Sequence, residues 1–159
     1  MALPIPSGFH AITPHLVIKG ADEAIEFYKK AFDAKEMVRM PMPGKDGVMK
    51  IGHAELQFGD SKVFLAEEFP DFGSLGPSGG GSPVTLHFYV SGVDAAFAKA
   101  VEAGATVAMP LADMFWGDRY GKLIDPFGHH WSLAEHIEDL TPAQMQERMA
   151  AAFAVPPCE

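Results

Sequence analysis

The sequence predicts an α+β fold, with two paired βαβββ modules forming a cup-shaped curved sheet, helices outside it, and a C-terminal helix. Three observations predict it. Thr13, His15, Gly20 and Asp22 recur as Thr85, His87, Gly92 and Asp94, each pair separated by 72 residues. Each copy then enters a helical pattern and closes on strand-like stretches, so the same unit is written twice. The stretches alternate apolar with polar residues, the period of a half-buried sheet. One unit alone is too small to bury its own face, so the two must share an interior.

The first module spans residues 10–72. In its first strand Leu16 and Ile18 share the face of Pro14, while Thr13, His15 and Val17 share the other. A helix follows from Asp22 to Asp33, with Ala24, Phe27, Tyr28, Ala31 and Phe32 at helical spacing and Asp22 as a natural N-cap. In strand 51–58, Ala54, Leu56 and Phe58 turn to the helix side and leave His53, Glu55 and Gln57 for the cup, with Gly52 marking a bulge. Gly59 after Phe58 marks a tight turn into a strand that ends Leu65-Ala66-Glu67.

Residues 73–83 are rich in glycine and serine and read as a flexible linker. The second module, 84–139, repeats the order. In strand 85–90, Leu86, Phe88 and Val90 form an apolar face under a helix, and Thr85, His87 and Tyr89 look into the concavity. The helix runs from its N-cap Asp94 to Gly104, with Phe97, Ala98 and Val101 on one stripe. Asp125-Pro126-Phe127-Gly128 reads as a turn. In strand 129–135, Trp131 and Leu133 take the helix side, so His130, Ser132 and Ala134 face the cup. The last helix, 141–154, opens on Thr141, Pro142 and Gln144, a capping box with proline at the first helical position. Its stripe of Met145, Met149 and Phe153 is expected to pack on the domain or on a second subunit.

Composition narrows the function classes. The chain has 159 residues, 48% of them hydrophobic, with 12 basic against 21 acidic residues and a net charge of −9. A surface this acidic repels phosphate backbones and anionic lipid, so neither nucleic acid nor membrane is an expected partner. No apolar run approaches the roughly 20 residues of a membrane helix. The N-terminal residues lack the basic and apolar regions of a secretory signal, and Cys158 is the lone cysteine, which favours a reducing cytoplasm.

The expected concavity therefore carries His15, His53, His87 and His130, the carboxylate of Glu55, and the hydroxyls of Thr13, Thr85 and Ser132. Clustered imidazoles with a carboxylate suit a divalent metal or acid–base work near neutral pH, and they equally suit a wet pocket of mutually bonded polar groups. Beside it, Trp116 and Tyr120 offer planar surfaces for a ligand, and Arg119 offers a fork of donors for a carboxylate or phosphate. The alternative is a structural turn in which Asp118 pairs Arg119 and Trp116 plugs the cup edge.

The segments ITPHLVIKGADEAIEFYKKAF, TLHFYVSGVDAAFAKAVEAGA and DMFWGDRYGKLIDPFGHHWSLAEHIEDLTP resemble the PhnB-like branch of the vicinal-oxygen-chelate superfamily, the group of glyoxalases, bleomycin-resistance proteins and extradiol dioxygenases. The resemblance covers about residues 10–150. It implies paired βαβββ modules, a cup-shaped site and a homodimer. It also implies where metal-using members hold their ligands, and in this chain those positions are Thr13, Thr85, Ser132 and Phe64. None is a good ligand for a divalent transition metal. His15 and His87 sit two residues further along the same faces, about 7 Å away by strand rise, so a displaced metal site would use them with Glu55 or His53.

Three functions compete. The first is a binding protein that holds a small molecule in a cup without the usual metal. The second is a divalent-metal-dependent lyase, isomerase or dioxygenase built on His15, His87 and Glu55. The third is a metal-free acid–base enzyme using a cup histidine, with His87 and Glu55 as the candidate catalytic pair. The first requires the fewest residues out of register.

Overall fold

The structure is a computed structural model that describes residues 3–78 and 81–154; Cys158 lies outside the described residues. The first module runs β1 (His15–Ile18), α1 (Ala21–Phe32), β2 (Lys35–Pro43), β3 (Met49–Phe58) and β4 (Ser61–Glu67). The second runs β5 (Thr85–Tyr89), α2 (Val93–Ala103), β6 (Thr106–Asp113), β7 (Asp118–Ile124) and β8 (His130–His136), and α3 (Pro142–Ala152) follows. Each module forms an open four-stranded mixed sheet, ordered β1-β4-β3-β2 and β5-β8-β7-β6. In both, the first strand pairs in parallel with the last and the other neighbours are antiparallel. Both sheets carry a helix on one face, so the α+β class and the two-module order are those the sequence predicts.

Local chemistry accounts for the elements. The α1 side chains at helical spacing, Ala24, Ile25, Phe27, Tyr28, Ala31 and Phe32, are all buried. Both long helices start from a glycine in the left-handed conformation, Gly20 with φ 87° and Gly92 with φ 71°. Asp22 and Asp94 therefore are not the N-caps that the sequence suggested; they lie in the first helical turn. The free N–H groups go elsewhere. Gly20 and Ala21 donate to the Glu67 carboxylate, and Gly92 and Val93 donate to that of Glu135. Each carboxylate thus neutralises the positive end of a helix from the last strand of its own module. In β3, Met40 pairs with His53 and Pro41 with Ile51, leaving Gly52 unpaired as a bulge. A Cβ there would lie 2.6 Å from the Met42 sulfur, so a larger residue would have to displace that flexible side chain.

One apolar core serves both modules. Leu16, Ile18, Ala54, Leu56, Phe58 and Leu65 enter it from the first sheet, and Leu123, Trp131 and Leu133 from the second. The seam is aromatic, with ring centroids 5.3 Å apart for Phe58 and Trp131, 4.6 Å for Phe32 and Trp131, and 6.1 Å for Phe58 and Phe88. Burying each such ring contributes about 2–3 kcal/mol. Helices α1 and α2 also touch across the seam. The first strands do not: β1 and β5 make no contact. The physical reason is that the most apolar faces, rather than the strand edges, found each other.

The Asp125 turn does more than reverse the chain. Asp125 is 3% exposed, and its Oδ2 accepts from Tyr28 Oη at 2.6 Å and Trp131 Nε1 at 2.9 Å. Its Oδ1 accepts from the backbone N–H groups of Phe127 and His129. Tyr28 belongs to the first module, so this carboxylate pins the two together. His129 adds a second link through Nε2, 3.0 Å from the Val17 carbonyl oxygen.

Candidate functional site: two open sheet faces

The core residues take one face of each sheet, so by strand alternation the residues between them take the other face of their own sheet. The candidate residues therefore form two groups. On the first sheet stand His15, His53, Glu55 and Phe64. His53 Nε2 lies 3.4 Å from Glu55 Oε1, and the His15 and His53 rings meet edge to face at 6.4 Å. Phe64 fills the space between them, its ring 6.1 Å from His15 and 4.9 Å from His53. Burial, and then the neighbouring His53, hold the His15 imidazole below its usual value. Val38 and Met40, opposite Glu55 and His53 on β2, extend this face with hydrocarbon. Phe9 packs on Phe64 at 5.6 Å from the N-terminal side.

On the second sheet stand His87, Tyr89, Tyr120 and Ser132. His87 Nδ1 lies 2.8 Å from Ser132 Oγ, and its ring sits between Tyr89 at 4.5 Å and Tyr120 at 5.8 Å, stacked on the latter within 22°. Trp116 meets Tyr120 at 5.4 Å and closes that end. Behind these rings lies Asp118, 4% exposed. It accepts from Tyr89 Oη at 2.9 Å, Trp116 Nε1 at 3.0 Å and His136 Nδ1 at 2.8 Å. Burial alone would raise the Asp118 carboxyl, but the bonds from His136, Tyr89 and Trp116 outweigh it and hold it below the usual range. The bond that Tyr89 donates to Asp118 raises the Tyr89 phenol. His136 is raised by Asp118 and by Asp139, which bonds its Nε2 at 3.0 Å.

The structure does not bring every candidate together. His15, His53 and Glu55 share one face, His87 and Ser132 the other. Thr13 is half-buried just before β1, Thr85 is exposed at the start of β5, and His130 is half-buried beside Gly81. Arg119 leaves the ligand face altogether. It lies on the helix side of β7, where Nε and Nη2 bond Asp94 and Nη1 bonds Asp113. Its fork of donors is filled by the first turn of α2 and by β6, so it holds neither a ligand carboxylate nor Asp118. Trp116 and Tyr120 do face the site.

Tyr89 stands on the second face as its strand alternation predicts, and two further residues belong there: Asp118 and His136. The signal for them was the period of two. Alternation from Tyr120 reaches Asp118, and alternation from Ser132 through Ala134 reaches His136. The strand simply runs one residue beyond the stretch 129–135 in which it was read.

A metal fits these donors poorly. Among the described residues no group of three or more His, Cys, Asp or Glu side chains converges as a metal site. The proposed set of His15, His87 and Glu55 is split between two faces, and Phe64 places a phenyl ring against the two histidines that do meet.

Comparison with known proteins matches this architecture. The profile of the Glyoxalase/Bleomycin resistance protein/Dioxygenase superfamily matches residues 8–133. An uncharacterised protein of Mycobacterium bovis is 46% identical over 145 residues, covering 89% of this chain and 93% of its own. The crystal structure of TioX from Micromonospora sp. ML1 has a TM-score of 0.61 at 26% identity, covering 83% of this chain and 100% of its own. That of an Arabidopsis thaliana gene product has a TM-score of 0.64 at 29% identity, with 80% and 99% covered.

Proposed function

The chain belongs to the glyoxalase/bleomycin resistance protein/dioxygenase superfamily, and from that premise we propose that it binds a small molecule in a cup-shaped site without the metal usual in the superfamily. One observation carries the reading. Of the positions where the resemblance puts metal ligands, Phe64 is a hydrocarbon wall between His15 and His53, and Ser132 is engaged with His87. These positions serve to shape and line a pocket. Tyr89, Tyr120 and Trp116 supply ring surfaces suited to a planar ligand.

The cup is made by two copies of the chain. Each sheet presents a polar and aromatic half-cup that its own partner sheet does not close, and Met40 and Tyr89 stand 58% and 57% exposed on those faces. Facing the first sheet of one copy with the second sheet of another would cover both and surround a ligand. The exposed stripe of Met145, Met149 and Phe153 on α3 supports the same assembly. The lone cysteine supports a cytoplasmic home, and no helix of the described residues is long and apolar enough to cross a membrane.

Elemental analysis of protein purified without a histidine tag or chelator tests the absence of a metal. The expected metal-to-protein ratio is near zero and stays low after incubation with nickel, zinc, iron or manganese. About one metal per chain, lost in a His15→Ala/His87→Ala double variant, would overturn the reading in favour of a metal-dependent lyase, isomerase or dioxygenase.

A further inference from the structure

The hydrogen bond between His87 and Ser132 fixes more than a ring orientation. Ser132 is 1% exposed, and His87 Nδ1, at 2.8 Å, is the partner of its hydroxyl among the described residues. A buried hydroxyl proton must find an acceptor. If Nδ1 carried a proton, that bond would run from the imidazole to Oγ, and the hydroxyl proton would be left buried without an acceptor. The hydroxyl therefore donates to Nδ1, which places the imidazole proton on Nε2. His87 is exposed, so this N–H is within reach of a ligand. Tyr89 and Tyr120 flank the ring and restrict its swing.

From this we propose that His87 is a fixed N–H donor that selects neutral, planar conjugated ligands bearing a carbonyl oxygen, an inference that rests on the binding reading above. The ring surfaces of Tyr120 and Trp116 set the planar requirement. The donor sets the oxygen acceptor. Charge sets neutrality, because the buried Asp118 carboxylate behind the rings and the net charge of −9 both disfavour an anionic oxygen. Ser132 is the positioning residue, acting through His87.

Two measurements test this. Long-range proton–nitrogen NMR on protein labelled at histidine nitrogen reads the tautomer without any ligand. The expected result is His87 with its proton on Nε2, and a proton on Nδ1 would overturn the assignment. Equilibrium dialysis then compares 9-fluorenone with fluorene, planar tricycles that differ by the carbonyl oxygen. Fluorenone is expected to bind roughly three- to tenfold more tightly, the worth of one neutral hydrogen bond. The preference disappears in His87→Phe, which keeps a ring and loses the donor, and shrinks in Ser132→Ala, which frees the tautomer. Equal binding of both compounds, or an unchanged preference in His87→Phe, would overturn the donor role and leave the binding half-cup standing. Binding of neither would overturn both.

Discussion

Asp125 holds four donors on two oxygens, from Tyr28, Trp131 and the backbone of its own turn. Removing it strands buried polar groups on both modules at once. We expect Asp125→Ala to cost roughly 3 kcal/mol or more in urea unfolding; a loss under about 1 kcal/mol would mean that water replaces the carboxylate. Asp118 and His136 form a second polar pair, with a pH signature. Asp118 is depressed in the fold, so its stabilisation is present above the ordinary aspartate range and is lost as pH falls through the folded value. His136 is raised, so its stabilisation is present below about 6.5 and is lost as pH rises through its folded value. The contact is strongest between about pH 4 and 6.5. His15 runs the other way: its folded value is depressed, and stability declines as pH falls below about 6.5. Thermal melts across pH should show the decline above neutral pH vanishing in His136→Ala and persisting in His15→Ala.

At the scale of the element, the two long helices are started by carboxylates that are distant in sequence. Glu67 bonds the first N–H groups of α1, and Glu135 those of α2. The Glu135 carboxyl is held below its usual range by the Gly92 and Val93 amides. Glu67→Ala should cost about 1 kcal/mol by denaturant melts, comparable to loss of a side-chain cap; no change would mean that solvent satisfies those amides equally well. Helix α3 starts in the other way, by the local capping box of Thr141 and Gln144. It buries none of its residues, and its ties to the body are the Arg148–Glu138 ion pair and the Phe115–Phe153 ring contact. An 11-residue helix is marginal in water by itself, which is a further reason to expect a second copy against its apolar stripe.

For the whole molecule the governing fact is that the aromatic seam uses the helix-side face of each sheet, so the seam does not consume the polar face of either. If each cup joins the first sheet of one copy to the second sheet of another, variants in different half-cups should complement. His53→Ala and His87→Phe proteins that bind fluorenone weakly alone should, once mixed and allowed to exchange subunits, regain one intact cup per mixed dimer. Dialysis of the mixture should then recover close to a quarter of wild-type sites for equal, random exchange (half the dimers mixed, one of two cups intact). No recovery despite subunit exchange, followed by mass spectrometry, would place the complete site within one chain.

The sequence by itself determined the repeat, the order of elements, and which side of each strand enters the core. Those are local or periodic properties: Leu86 and Phe88 alternate with His87 whatever lies above them, and Gly52 falls at the bulge in the β2–β3 pairing. Even His136 and Asp118 were legible by the same period of two. What only the tertiary structure decided were choices of partner between distant residues. Arg119 could meet Asp118, Asp113, Asp94 or a ligand, and its position on the helix side of β7 selected Asp94 and Asp113. The helix starts found Glu67 and Glu135 because the last strand of each module lies parallel to the first and ends beside the helix. Asp125 became a bridge because α1 brought Tyr28 against the opposite module. The pairing of β1 and β5 into separate sheets placed His15 and His87 in different groups of neighbours, and no spacing along the chain encodes that separation.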